Sequence, residues 1–98
     1  MSYRVLIQPQ AERQAAELDA WWNENRSGSR VRVRAELERL LTRLSFFPER
    51  FARYRDREER MVRLEGTPYY AFYRVKPAAK EVHIVSVWSA VLDDAPPF

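Results

Sequence analysis

The sequence predicts an α+β domain of order β-α-α-β-β-β, a helical hairpin packed on one face of a mainly antiparallel sheet. Three observations predict it. Residues 9–47 carry apolar side chains at helical spacing, residues 60–88 carry them at strand spacing, and Pro and Gly fall between the segments. Neither an amphipathic helix nor a half-apolar strand buries its apolar side alone, so the two halves must cover one another.

Tyr3–Gln8 is β-branched and aromatic and reads as a strand stopped by Pro9. Pro9 suits the first position of a helix. Ala11, Ala15, Leu18 and Trp22 then fall on one helix face, with Glu12, Arg13, Glu17 and Asp19 on the others; this helix fades near Asn23–Arg26. Ser27-Gly28-Ser29 reads as a turn whose serine caps the next helix. That helix is expected from Arg30 to Phe46. Val33, Leu37, Leu40, Leu41, Leu44 and Phe47 form its apolar stripe, and Pro48 ends it. On its wet side, Glu36–Arg39 and Arg34–Glu38 are spaced to form weak surface pairs. A short turn between the helices makes them an antiparallel hairpin.

Residues 49–59 are a charged connection that Phe51 and Tyr54 pin to the core. Arg60–Glu65, Tyr69–Lys76 and Glu81–Trp88 are the remaining strands, separated by Gly66-Thr67-Pro68 and Pro77-Ala78-Ala79. Turns this short demand antiparallel pairing. Residues 1–98 read as one domain, with 89–98, which contain Pro96-Pro97, as an irregular tail.

Composition excludes several classes of function. There is no cysteine and a single histidine, His83, so neither a disulfide, a cysteine-ligated zinc nor a multi-histidine metal site is expected. The only glycines, Gly28 and Gly66, lie far apart and neither is followed by lysine, so neither a P-loop nor a dinucleotide fingerprint is possible and no cofactor is expected. No nucleophile elbow supports Ser/His/Asp catalysis. The charges in residues 1–20 and the lack of a long apolar run argue against a signal peptide or a membrane partner, and a reducing cytoplasm suits a cysteine-free chain.

The net charge is +3, unevenly spread. Residues 26–63 hold 12 arginines against 6 acids, and 15 of the 17 basic residues are arginine. Arginine forks grip carboxylates and phosphates bidentately, which suits specific acidic contacts. The alternative is a solvated surface of mixed charge.

The opening strand, Pro9-x-Ala11, the two helices ending at Pro48, Tyr69-Tyr70-Ala71-Phe72-Tyr73-Arg74-Val75 and Val82-His83-Ile84-Val85-Ser86-Val87-Trp88-Ser89 together resemble the RelE/ParE superfamily over roughly residues 3–90. That resemblance implies a cytoplasmic toxin of a bacterial type II toxin–antitoxin system, held in a hetero-oligomer by a cognate antitoxin. It implies one of two activities. RelE-like members cleave messenger RNA in the ribosome; ParE-like members inhibit DNA gyrase by binding.

Cleavage at a ribose 2′-hydroxyl needs a base, a cation for the developing phosphate charge and an acid for the leaving oxygen. RelE-like toxins resemble one another in supplying these from Lys and Arg plus a C-terminal Tyr or His. Arg63 falls where one such base stands. Tyr70 falls near a position that commonly carries arginine, a departure. After Val87-Trp88-Ser89, where an arginine is common, come Ala90-Val91-Leu92-Asp93-Asp94, and acids there repel phosphate. His83 is the remaining acid–base candidate, with a structural strand histidine as the alternative. The reading is therefore ParE-like. Arg63, Tyr70 and His83 are the catalytic candidates of the RelE-like alternative. A non-toxic partner that acts only as an antitoxin-bound corepressor is a further alternative. Candidates for antitoxin or target contact are Arg53, Arg55, Arg60, Arg63, Arg74, Tyr70 and Trp88. For Arg63 and Arg74 the competing role is a cross-strand salt bridge. Tyr69, Tyr70 and Tyr73 are candidates for stacking on bases, with sheet packing as the competing role.

Overall fold

The computed structural model describes residues 2–89 and 96–98. The elements run β1 (Arg4–Ile7), α1 (Pro9–Asn25), α2 (Val33–Phe46), β2 (Arg60–Arg63), β3 (Tyr69–Lys76) and β4 (Glu81–Ser89). They form one four-stranded sheet of order β1-β4-β3-β2, with β1 parallel to β4 and the other neighbours antiparallel. The expected α+β order and helix-covered sheet are thus found. No helix among the described residues is long and apolar enough to cross a membrane.

The core lies between the helices and one sheet face. Ala11 and Ala15 of α1 and Val33, Leu37, Leu40 and Leu44 of α2 meet Val62, Leu64, Ala71, Tyr73, Val82, Ile84 and Val87. The two alanines let α1 lie close over β4, while each buried Leu of α2 stabilises by about 1.5–3 kcal/mol.

α2 begins three residues later than the sequence suggests, at Val33 rather than Arg30. Its cap comes from α1. Asp19 Oδ1 accepts the Val33 N–H at 2.7 Å and Oδ2 accepts the Arg34 N–H at 2.9 Å. Ser29 does not cap it; its Oγ accepts the Val31 N–H at 3.0 Å, inside the turn. A carboxylate in contact with two first-turn N–H groups also sits at the positive end of the helix dipole. Arg34 adds a second tie between the helices, a two-toothed pair with Glu12 at 2.8 and 2.9 Å beside the expected pair with Glu38 at 2.6 Å. At the other end α2 stops at Phe46, and Phe47 leaves the apolar stripe: it is 61% exposed, as Phe46 is 59%. The backbone turns at Phe47 (φ −133°, ψ 64°), which swings its ring away from the face that Leu40 and Leu44 bury.

Residues 49–59 are pinned as expected. Phe51 packs against the core, and Tyr54 meets Phe72 edge-on at 5.2 Å. The Met61 N–H donates to Ala52 O at 3.1 Å and Arg53 bridges Arg60, so this segment lines the start of the β2 edge.

Two further details position the site. β1 ends at Ile7, opposite Ile84, so β4 continues past its neighbour. Side chains of α1 replace the missing strand: Gln10 Nε2 donates to Val85 O at 2.9 Å, and Gln14 Oε1 accepts the Val87 N–H at 2.7 Å. The β3–β4 register also shifts by one residue, from Phe72↔Ser86 to Tyr73↔Ile84. This bulge lets Val82, Ile84 and Val87 all face the helices, which strict alternation forbids.

Candidate functional site

Two rows of residues stand on the sheet face away from the helices. Register places Arg63, Tyr70 and Trp88 side by side across β2, β3 and β4, and Arg74 beside His83. Tyr70 and Arg74 are four residue steps apart along β3, about 13 Å at the rise of an antiparallel strand. The first row therefore brings three candidates together, and His83 is not among them.

Arg63 is exposed at the sheet edge, where its Nε donates to Thr67 O at 3.3 Å; no carboxylate pairs with it among the described residues. Thr67 is fixed in turn. Gly66, at φ +72°, turns the chain, and the buried Thr67 Oγ1 donates to Leu64 O at 2.8 Å and accepts the Tyr69 N–H at 3.1 Å. Tyr70 and Trp88 are half-buried. Trp88 also lines an apolar groove of about 330 Å³ with Gln14, Leu18, Trp21, Tyr69 and Val87. Trp22 helps form this end of the domain, donating its Nε1–H to Tyr69 Oη at 2.9 Å.

The second row is a network of opposite charges. Glu59 is only 1% exposed. Arg74 Nε donates to its Oε2 at 2.6 Å and Arg57 Nε to its Oε1 at 2.7 Å. Burial pushes the Glu59 carboxyl up, but the hydrogen bonds from Arg74 and Arg57 outweigh it and hold the carboxyl below its ordinary value. Glu58 lies 3.4 Å from Arg74 and 3.6 Å from Lys76. His83 Nε2 is 2.9 Å from Glu81 Oε1, and Arg4 pairs with the same carboxylate. The His83 and Arg4 contacts hold Glu81 below the usual carboxylate range. Phe98 closes this end, edge-on to Phe72 at 5.6 Å and under the Arg57 guanidinium at 4.4 Å. Arg74, His83 and Phe98 border a hollow of about 300 Å³.

The other candidates are placed as follows. Arg60 turns to the helix side, where its Nη1 donates to Phe51 O at 2.7 Å. Tyr73 is fully buried and cannot stack on a base; its Oη donates to Pro48 O at 2.9 Å, and burial pushes its phenol up to about 12. Together these two hold the exit of α2. Arg53 and Arg55 are exposed on the 49–59 segment, Arg55 with its guanidinium 5.0 Å from the Tyr54 ring. The residues after Ser89, including Asp93 and Asp94, lie outside the described residues up to Ala95. Sequence reasoning missed Glu59, the hub of the second row. Its only signal was a place among alternating charges, which does not separate a buried acid from an exposed one.

No group of three or more His, Cys, Asp or Glu residues among those described could hold a metal. The helical hairpin over a sheet of order β1-β4-β3-β2 is consistent with a toxin of the RelE/ParE superfamily. Within it the chain belongs to the family described as the ParE toxin of type II toxin–antitoxin systems (parDE), which it matches over residues 5–91. Among solved structures it is similar to a chain of the toxin–antitoxin complex RelBE2 from Mycobacterium tuberculosis. The TM-score is 0.65 at 20% identity, covering 91% of this chain and 99% of that one. At that identity the likeness concerns the fold. No curated protein matches.

Proposed function

We propose that this chain is a ParE-like toxin that inhibits DNA gyrase by binding and is neutralised by a cognate antitoxin. The observation that carries the reading is the separation of the acid–base candidates. Arg63 and Tyr70 stand together, while His83 lies about 13 Å along the strands, held by Glu81. Arg74, the nearest cation to His83 in register, is bonded to Glu59. A 2′-hydroxyl attack needs base, cation and acid around one phosphate, within about 3 Å of the atoms they serve. The second row supplies neutralised charges in their place. A surface that binds needs no such convergence, and Arg63, Tyr70 and Trp88 offer a cation beside two rings, the residue types that dominate interface energetics. Family membership supports the same reading.

The antitoxin is an acidic or amphipathic segment lying along the helical hairpin and the basic sheet edge, where Arg53, Arg55 and Arg63 stand exposed. Purified toxin, given in parallel to a gyrase supercoiling assay and to translating ribosomes, tests the reading. Supercoiling is expected to stop with the messenger intact. A cut messenger with supercoiling unimpaired overturns it in favour of the RelE-like alternative. Normal growth on expression without antitoxin favours the corepressor alternative.

A further inference from the structure

A second basic surface lies where the end of α2 meets residues 49–51, and it reaches the first row only at Arg63. Arg39 and Arg43 are exposed one helical turn apart on α2, and Arg50 is exposed just beyond its end. The guanidinium carbons of Arg43 and Arg50 sit 5.2 Å and 5.8 Å from the centre of the Phe51 ring. The ring holds two cations side by side and engages them by cation–π attraction rather than by neutralisation. Neither Arg43 nor Arg50 pairs with a carboxylate among the described residues, and Arg39 meets Glu36 only at 3.5 Å, with its side chain 76% exposed. A pair that loose and wet contributes little. Arg39, Arg43 and Arg63 border a small cleft with Glu36 and Glu65. Among the described residues, Phe46 and Phe47, at 59% and 61% exposure, are two of the three large apolar side chains most open to water, and they lie between Arg43 and Arg50 in the chain.

We propose that this surface binds single-stranded nucleic acid, with Arg39, Arg43 and Arg50 on successive phosphates and the rings of Phe46 and Phe47 stacking on bases. Closely spaced cations interleaved with exposed rings are what a single strand needs, because every base has a face to stack and every nucleotide a charge to neutralise. An acidic polypeptide fits less well. The start of the β2 edge is already lined by residues 52–53, through the Met61–Ala52 hydrogen bond and the Arg53–Arg60 bridge, so an incoming peptide gains no strand pairing beside Arg60 and Met61. A duplex hides its base faces and leaves the two phenylalanines without a role. DNA and RNA strands share the chemistry, and the test distinguishes them.

The experiment is fluorescence anisotropy of the full chain with labelled oligo-dT and oligo-U 20-mers, without gyrase or antitoxin, so its outcome is independent of the proposed inhibition. Three phosphate contacts predict a slope of log affinity against log salt of about −2, or roughly 20-fold weaker binding at 200 mM than at 50 mM salt. The triple variant R39Q/R43Q/R50Q is expected to lose at least tenfold and most of the slope. The variant R26Q/R30Q/R32Q, which removes the same charge at the other end of α2, is expected to stay within about twofold to threefold, with circular dichroism confirming that both fold. F46A/F47A is expected to weaken binding while leaving the slope in place. Tighter binding of oligo-dT or of oligo-U assigns the strand chemistry. Overturning results are no binding at 50 mM salt, equal losses in the two arginine triples, tighter binding of a 20-base-pair duplex, or displacement by poly-glutamate at matched charge as effective as by oligonucleotide.

Discussion

Replacing Asp19 by alanine should uncap a helix to which it does not belong. α2 has no cap of its own, because Arg32 at its N-cap position makes no side-chain cap bond. The Asp19 carboxylate takes two of its first-turn N–H groups, at 2.7 and 2.9 Å. Loss of a good cap costs about 0.5–2 kcal/mol, and loss of a negative charge at a helix N-terminus a further ~0.3–1 kcal/mol, overlapping with the first. Asp19 is half-buried, so the charge effect is partly screened. The expected cost is about 2 kcal/mol, or a fall in Tm of roughly 8–16 °C for a domain of this size. Asp19→Asn keeps one acceptor and loses the charge, and should fall about midway. Ser29→Ala, at the residue the sequence suggests as the cap, removes one turn hydrogen bond and should cost no more than about 0.5 kcal/mol. Thermal and urea melts of the three variants decide it. A Ser29→Ala loss equal to that of Asp19→Ala, or an Asp19→Ala cost under about 0.5 kcal/mol, would refute the reasoning.

Acid should release the second row. The Glu59 carboxyl is held below its ordinary value near 4.5, so its contribution is fully present above that value and is lost as pH falls through the lower folded one. Wild type should therefore lose more stability than Glu59→Gln between pH 5.5 and 3, and parallel urea-derived curves for the two would disprove this. At neutral pH, Glu59→Gln should cost about 1.5–3 kcal/mol, the scale of hydrogen bonds to charged groups; Arg57 and Arg74 reach solvent, which keeps the loss below that of a fully sealed ion pair. Tyr73→Phe should cost about 1 kcal/mol by leaving Pro48 O without its donor, readable as a Tm shift. In supercoiling assays Arg63→Glu should weaken gyrase inhibition at least tenfold with Tm within about 3 °C of wild type, whereas His83→Ala should leave inhibition unchanged; the reverse pattern would remove the first row from the contact.

Most elements could be read from the chain because their causes are local. Pro9, Pro48, Gly66 and Pro77 punctuate it, and Tyr69–Lys76 is a strand over the residues expected. What escaped has long-range causes. The α2 cap lies 14 residues upstream, so Ser29 was the nearest visible acceptor. The bulge opposite Phe72 and Tyr73 inserts one residue without any glycine or proline to announce it. It also carries Trp88 to the face that bears Tyr70, which alternation from Val82 and Ile84 would not do. Phe47 fits a helical stripe that would continue one residue past the real end of α2. Of the site candidates, register sets Arg63 beside Tyr70, and Arg74 is held by a salt bridge to Glu59, which precedes β2 rather than standing on a strand. That Arg60 and Tyr73 serve the exit of α2 follows only from which sheet face they occupy.

The two glutamines of α1 that bond to β4 also decide where this sheet can grow. A strand whose outer N–H and C=O groups are open is a template for any other extended chain. At Val85 and Val87 that template is already read by Gln10 and Gln14, which belong to the same molecule and are always at hand. A partner that arrives as a strand must therefore use the outer side of β1 or the remaining length of β2, and self-association through the far end of β4 is blocked before a partner is made. Gln14→Leu would leave the Val87 amide to water: its hydrogen exchange should accelerate, and the variant should show more self-association than wild type at equal stability.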